Sequence, residues 1–233
     1  MFSYYGSKSK IIDLYPAPRF DRIIEPFAGS ARYSLKYFDR DVLLVDKYPV
    51  IVEIWQWLQR ASPADILGLP DVDYKESIVD FDIPDEAKNL IGFCINRGSS
   101  SPANIAQNFN NWNDDRRTIA DNLFKIRHWE IRQSSYEDLI NESATWFIDP
   151  PYQWGGHHYK FGNDKIDFSD LAEWCKSRNG QAIVCENIKA DWLPFLKMKQ
   201  FTGAYSTTTE AMWSNCSHPY QTVQLDLFAE ATP

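Results

Sequence analysis

The chain has 233 residues, 44% of them hydrophobic and 15% aromatic, and carries a formal net charge of −8. That length suits one α/β domain with a sizeable core and room for a small inserted region, while the negative balance argues against global attraction to nucleic acid and leaves a local basic cleft open. The start, Met1-Phe2-Ser3-Tyr4-Tyr5-Gly6, does not read as a secretory segment, no apolar run approaches bilayer length, and four well-separated cysteines with no C-x-x-C pair point to reduced thiols in a cytoplasm and to no metal site.

Strand and helix signals alternate along the chain, which predicts an α/β fold with a largely parallel sheet. Arg22-Ile23-Ile24-Glu25 reads as a first strand, followed by a turn from Pro26 to Gly29 and a helix over about 30–38. Val42 to Val45 is a second strand ending at Asp46. A helix over about 48–59 follows, with Ile51, Ile54, Trp55 and Leu58 on one face. Ser62-Pro63-Ala64-Asp65 is a helix-start signal. Leu90, Ile91, Cys94 and Ile95 support a helix over about 85–96. The polar stretch from Asn96 to Asn113 has no period and reads as a long loop of the kind that often carries function. Ile119, Leu123 and Ile126 then fall in phase for a helix over about 114–127. Strands are expected at 129–132, 145–148 and 181–185, and a helix from Asp167 to Ser177. Thr207 to Thr209, Met212-Trp213 and Thr222 to Leu225 read as β structure, an antiparallel pair at the sheet edge. Residues 1–59 and 128–233 are expected to form the catalytic domain, with 60–127 a small inserted recognition region.

Two turns carry chemistry. Ile24-Glu25-Pro26-Phe27-Ala28-Gly29-Ser30-Ala31 joins a strand to a helix, the edge of an open α/β sheet where ligands bind. Gly29 lets a ligand approach the backbone. A dinucleotide fingerprint needs further glycines, but Ala31 and Ser34 stand there, so a phosphate-free nucleoside fits better than a pyrophosphate. Asp46, about twenty residues on, is placed to accept hydrogen bonds from ribose hydroxyls. Taken alone, the pair reads equally well as a tight turn and a helix-capping acid.

The second turn is Trp146-Phe147-Ile148-Asp149-Pro150-Pro151-Tyr152. An Asp-Pro-Pro-Tyr tetrad arises by chance in such a chain on the order of once in a thousand. It places a carboxylate, an unpaired carbonyl and a flat ring together at a strand end, which suits an exocyclic amine on a flat base. Pro151 has no N–H and keeps the turn out of a ladder.

The set Tyr4-Tyr5-Gly6-Ser7-Lys8, Glu25 to Gly29, Asp46 and Asp149 to Tyr152 resembles, in residues and order, the Dam-type (alpha-group) DNA adenine-N6 methyltransferases. Glu210-Ala211-Met212-Trp213-Ser214-Asn215 is similar to that family's late Glu…Asn motif. The resemblance spans most of the chain and is weakest over 60–127. It implies a Rossmann-like S-adenosylmethionine-dependent methyltransferase fold, with a mixed sheet and an antiparallel edge strand. It also implies S-adenosylmethionine as donor, S-adenosylhomocysteine as product and no metal. By position, Lys8 would pair with the methionine carboxylate. Tyr4, Glu25, Phe27 and Gly29 would surround the methionine and ribose, Asp46 would hold the ribose, and Tyr136 would lie near the adenine. Asp149, beside the cofactor, and the Pro150 carbonyl would accept the N6 hydrogens, and Tyr152 would stack on the flipped base. The family turn usually has a second glycine where Ala31 stands, and an acid where Ser135 stands. Both departures are expected to weaken cofactor binding while leaving it intact. RNA, another amine substrate, or a catalytically weak DNA-binding homologue are the alternatives.

Asn96-Arg97 resembles an Asn-Arg pair in the family's recognition region, and Arg116 and Arg117 are basic candidates for double-stranded DNA; solvated helix faces are the plain alternative for such arginines. Gly155, Gly156 and neighbouring aromatics suggest a loop closing on the flipped base. Gln224-Leu225-Asp226-Leu227-Phe228 resembles the peptide by which bacterial replication proteins bind the sliding clamp, with Gln224, Leu225, Leu227 and Phe228 as contacts. The alternation of Val223, Leu225 and Leu227 equally fits a final strand. The expected location is cytoplasmic and nucleoid-associated, with no membrane.

Overall fold

Among the described residues, seven strands form one sheet in the order β3-β2-β1-β4-β5-β7-β6. The computed structural model describes residues 1–2, 4–96, 98–107, 111–202 and 207–216. The strands are β1 (Arg22–Glu25), β2 (Asp41–Asp46), β3 (Glu130–Gln133), β4 (Ala144–Ile148), β5 (Gly180–Asn187), β6 (Leu196–Thr202) and β7 (Thr207–Ser214). The first five pair in parallel, and β7 pairs antiparallel with both β5 and β6. This is a Rossmann-like α/β fold with a mixed sheet, as the sequence reading expected. An antiparallel pair closes the sheet edge as expected, but it is formed by β6 and β7: β7 folds back into the slot beside β5 and leaves β6 outside. Burial explains the order. Ala211 and Met212 of β7 are buried, whereas β6 exposes Lys197 and Lys199, charges that suit an unpaired edge.

Among the described residues, six α-helices accompany the sheet: α1 (Arg32–Lys36), α2 (Pro49–Arg60), α3 (Pro63–Leu67), α4 (Asp85–Ile95), α5 (Trp112–Asn122) and α6 (Phe168–Lys176). Side-chain alternation along the strands divides the core into two layers. Ile23, Val42, Leu44, Phe147 and Ile183 face a cluster shared with α2, α4 and α5. Ile24, Leu43, Val45, Trp146 and Val184 face the layer under α6. The predicted apolar face of α2, Ile51, Ile54, Trp55 and Leu58, is fully buried.

The start signal at Ser62 becomes a capping box: Ser62 Oγ accepts from the Asp65 amide at 3.2 Å and the Asp65 carboxylate accepts from the Ser62 amide at 2.7 Å. The helix expected over 114–127 begins earlier, at Trp112, and tightens to a 3-10 turn over Leu123–Ile126. Residues 60–127 add to the α2 side of the core. Trp112 is fully buried, and its Nε1 donates to the Pro70 carbonyl at 2.9 Å. No helix among the described residues is long and apolar enough to cross a membrane.

Candidate active site

Parallel strands bring their C-terminal ends to one edge, and an acid stands at four of them. Glu25 ends β1, Asp46 ends β2, Asp149 follows β4, and Glu186 is next to last in β5. Strands β1 and β4 are neighbours with Ile24 opposite Trp146, so the two sequence motifs meet although more than a hundred residues separate them.

The turn after β1 is held from three directions. The Ala28 amide donates to the Val45 carbonyl at 2.9 Å. The Gly29 amide donates to Asp46 Oδ2 at 3.0 Å, and Trp55 Nε1 donates to the Gly29 carbonyl at 2.9 Å. Gly29 has φ of 44°, and a Cβ built there would lie 2.9 Å from the Tyr4 ring, so the position requires glycine. Ala31 also adopts a left-handed conformation, φ 46°. That is the physical reason a glycine suits the place. Glu25 Oε1 accepts from the Ser34 amide at 2.7 Å and so satisfies the start of α1. Burial pushes its carboxyl up to about 8. Asp46 Oδ1 accepts from the Tyr48 amide at 2.9 Å, and burial raises its carboxyl to about 6.

The N-terminal segment is pinned beside this turn. Arg32 donates to the Phe2 carbonyl at 2.9 Å and to Ser7 Oγ at 3.1 Å. This delivers Lys8, only 5% exposed, to the end of β4. Its Nζ lies 2.7 Å from both oxygens of Asp149 and 2.8 Å from the Gly6 carbonyl. Burial pulls the ammonium down, but Asp149 and then Glu210 hold it above the ordinary lysine range. For Asp149, burial pushes the carboxyl up and outweighs the pull of Lys8.

These groups border a cleft of about 980 Å³, part of it open to solvent. Every residue assigned to the cofactor by resemblance lines it: Tyr4, Lys8, Glu25, Phe27, Gly29, Asp46, Tyr136 and Asp149. Phe27 and Tyr136 pack with ring centroids 5.4 Å apart and form one aromatic wall. Ser135 lines the same wall.

Tyr152 turns away from that lining. Its hydroxyl donates to Glu210 Oε2 at 2.6 Å, and Lys8 Nζ lies 4.8 Å from its ring centroid. The loop that follows, expected to close on the flipped base, sends Tyr159, Lys160 and Phe161 to line the cleft itself. Tyr159 donates to the Tyr5 carbonyl at 3.1 Å and packs beside Tyr4. Lys160 and Phe161 were not singled out, because no period or motif marks them. Glu186, fully buried, was also missed, although an acid at the end of a predicted strand was the same signal that marked Glu25 and Asp46.

The recognition candidates lie elsewhere. Asn96 follows α4, and the adjoining Ser99 carbonyl accepts from the Tyr5 amide at 3.0 Å, which ties this segment to the site's N-terminal loop. Arg116 reaches Asp71 at 2.5 Å and also the Leu69 carbonyl, tying α5 to the turn after α3. Arg117 is exposed on α5. Arg97 and Gln224, Leu225, Leu227 and Phe228 lie outside the described residues, as does the strand expected over 222–225.

No protein-family model matches the chain, and no curated protein matches it either. Among solved structures, one similar in fold is “Putative methyltransferase yhhF” from Escherichia coli, at 9% identity and TM-score 0.35, covering 88% of this chain and 78% of that one.

Proposed function

We propose that the protein transfers a methyl group from S-adenosylmethionine to N6 of adenine in DNA, with the base turned out of the duplex. The observation that carries this reading is the joining of Lys8, Asp149 and Tyr152 at the end of β4, beside a cleft lined by Gly29, Asp46 and Tyr136. The cleft residues fit a nucleoside cofactor without phosphates. An aromatic wall suits its base, the Asp46 carboxylate suits ribose hydroxyls, and Lys8 lies within reach as a cation for a carboxylate. S-adenosylmethionine supplies a methyl group on a positively charged sulfur, which leaves as the neutral thioether of S-adenosylhomocysteine.

The chain's own residues then have separable tasks. The N6 lone pair of adenine is delocalised into the ring and is a poor nucleophile. Asp149 and the Pro150 carbonyl accept its two hydrogens and draw the nitrogen towards tetrahedral geometry, which frees the lone pair for in-line attack. As the N–C bond forms, positive charge develops on that nitrogen, and the adjacent carboxylate stabilises it until a proton leaves. Lys8 fixes the orientation of Asp149. Tyr152 offers the ring face not covered by Lys8 to the base, and stacking offsets part of the cost of extrusion.

Labelled methyl transfer to adenine-containing oligonucleotides, followed by nucleoside analysis, tests the reading. N6-methyladenine in DNA is the expected product. Transfer only to RNA or to a small amine would move the substrate class, and the absence of transfer with intact DNA binding would favour a non-catalytic homologue.

A further inference from the structure

Strands β5 and β7 place carboxylates on both faces of the sheet beside the tetrad. Asn187 lies opposite Glu210 and Glu186 opposite Ala211, so the two glutamates project to opposite faces. On one face, Glu186 is fully buried and accepts from the Gln153 amide at 2.9 Å, the Asn187 amide at 2.7 Å and Trp192 Nε1 at 3.0 Å. On the other, Glu210 accepts from the Tyr152 hydroxyl at 2.6 Å. The last residue of the tetrad and the residue after it are therefore gripped from both sides.

A tyrosine ring on a strand-end turn has two side-chain torsions free to vary. Stacking needs a fixed plane, because a tilted ring loses contact area with a flat base. The bond from the hydroxyl to Glu210 anchors the far end of the ring and so sets its pitch, while core packing and Lys8, 4.8 Å from the ring centroid, bear on its face.

We propose that Glu210 is a positioning residue which holds the Tyr152 ring at the pitch required for the target base to stack, while Glu186 fixes the peptide that follows. The inference rests on the nucleic-acid methyltransferase reading above. It explains why an acid stands on β7, a strand that contributes no residue to the cofactor cleft. The carboxylate works through the ring and touches no reacting atom.

The test is a double-mutant cycle on methyl transfer to DNA, with 2-aminopurine at the target position as a reporter of base extrusion. Glu210→Ala and Tyr152→Phe each remove the same charge-assisted bond. Each is expected to lower kcat/KM for DNA by roughly 10- to 100-fold and to reduce the 2-aminopurine signal. The Kd for S-adenosylmethionine should stay within about twofold in both. The double variant should be no worse than either single variant, and Glu210→Gln, whose amide oxygen still accepts, should recover most of the activity. Independent, multiplying losses in the double variant would overturn the inference, as would native-like transfer by Glu210→Ala. If Glu210→Ala does not fold, Tyr152→Phe against Glu210→Gln still decides, since the inference requires the first to lose extrusion and the second to keep it. A native protein that methylates no nucleic acid overturns the parent reading and this inference together. A native protein that methylates DNA with an unaffected Glu210→Ala overturns this inference alone.

Discussion

Replacing Gly29 by alanine should damage both stability and cofactor affinity, and the size of the effect can be worked from the turn. Gly29 has φ of 44°, where an L-residue costs about 1–2 kcal/mol. Narrowing the unfolded ensemble returns about 0.4–1 kcal/mol of that. The new methyl would sit 2.9 Å from Tyr4 Cδ1 and 3.3 Å from Cε1. Tyr4 has little room to retreat, because Phe93 packs edge-on at 5.5 Å and Tyr159 at 5.9 Å. Overpacking of this kind costs about 1–3 kcal/mol. The sum is a loss of about 1–5 kcal/mol, read as a lower urea midpoint with an unchanged slope. Moving the turn also strains the bond from the Gly29 amide to Asp46, the acid proposed to hold the ribose. Calorimetric titration should therefore show S-adenosylmethionine binding weakened by about tenfold or more. Ala31 supplies the matched control. It already sits at φ 46°, so Ala31→Gly should be neutral or stabilising by up to about 1 kcal/mol. Equal stability and affinity in Gly29→Ala and the native chain would refute the account of this turn.

Other consequences are open to measurement. Asp149→Ala should abolish methyl transfer while largely preserving cofactor binding, and wild-type-like turnover would refute the role. The same change strands Lys8, 5% exposed, without its partner, so stability should fall by about 3–5 kcal/mol and recover in part when Lys8→Met is added. Burial raises Glu25 from 4.5 to about 8, so its contribution to stability is full below about pH 4.5 and is lost as pH rises through about 8. Glu25→Gln should flatten the fall in unfolding free energy across that window, by at most roughly 5 kcal/mol, and an unchanged pH slope would contradict the assignment. For the proposed clamp peptide, removal of residues 224–233 should abolish capture by a bacterial sliding clamp, and retained capture would exclude that segment.

How much could be read from the sequence depended on whether the signal was local. Ile23-Ile24-Glu25 and Val42 to Asp46 announce themselves as buried strands ending in acids, and both form. The apolar period of 48–59 gives α2 almost to the residue. The tetrad at 149–152 fixes the end of β4 by its prolines alone. What escaped was set by distant partners. The order of β6 and β7 depends on which strand finds the slot beside β5, and the edge signal of Lys197 and Lys199 counts only once β6 is known to compete with β7 for it. Arg116 reads as a solvated or nucleic-acid-facing arginine until Asp71, forty-five residues earlier, folds against it. Tyr159 and Phe161 reach the cleft through a turn whose shape comes from packing on Tyr4 and Tyr5.

The four acids at one sheet edge also explain why Lys8 comes from outside the sheet. Glu25, Asp46, Asp149 and Glu186 crowd the ends of β1, β2, β4 and β5, and burial raises the carboxyl of each. Three of them are satisfied by backbone amides: Ser34 for Glu25, Gly29 and Tyr48 for Asp46, Gln153 and Asn187 for Glu186. All three hold turns. Asp149 instead accepts from a side chain, Lys8, the one buried cation among the described residues. An ammonium on an N-terminal turn can hold the carboxylate ionised and oriented without consuming the geometry that an amine substrate needs, which backbone amides fixed in the turn could not do. The division follows from chemistry: Glu25, Asp46 and Glu186 are tied to the main chain, and the acid proposed to act on substrate is tied to a buried side-chain ammonium.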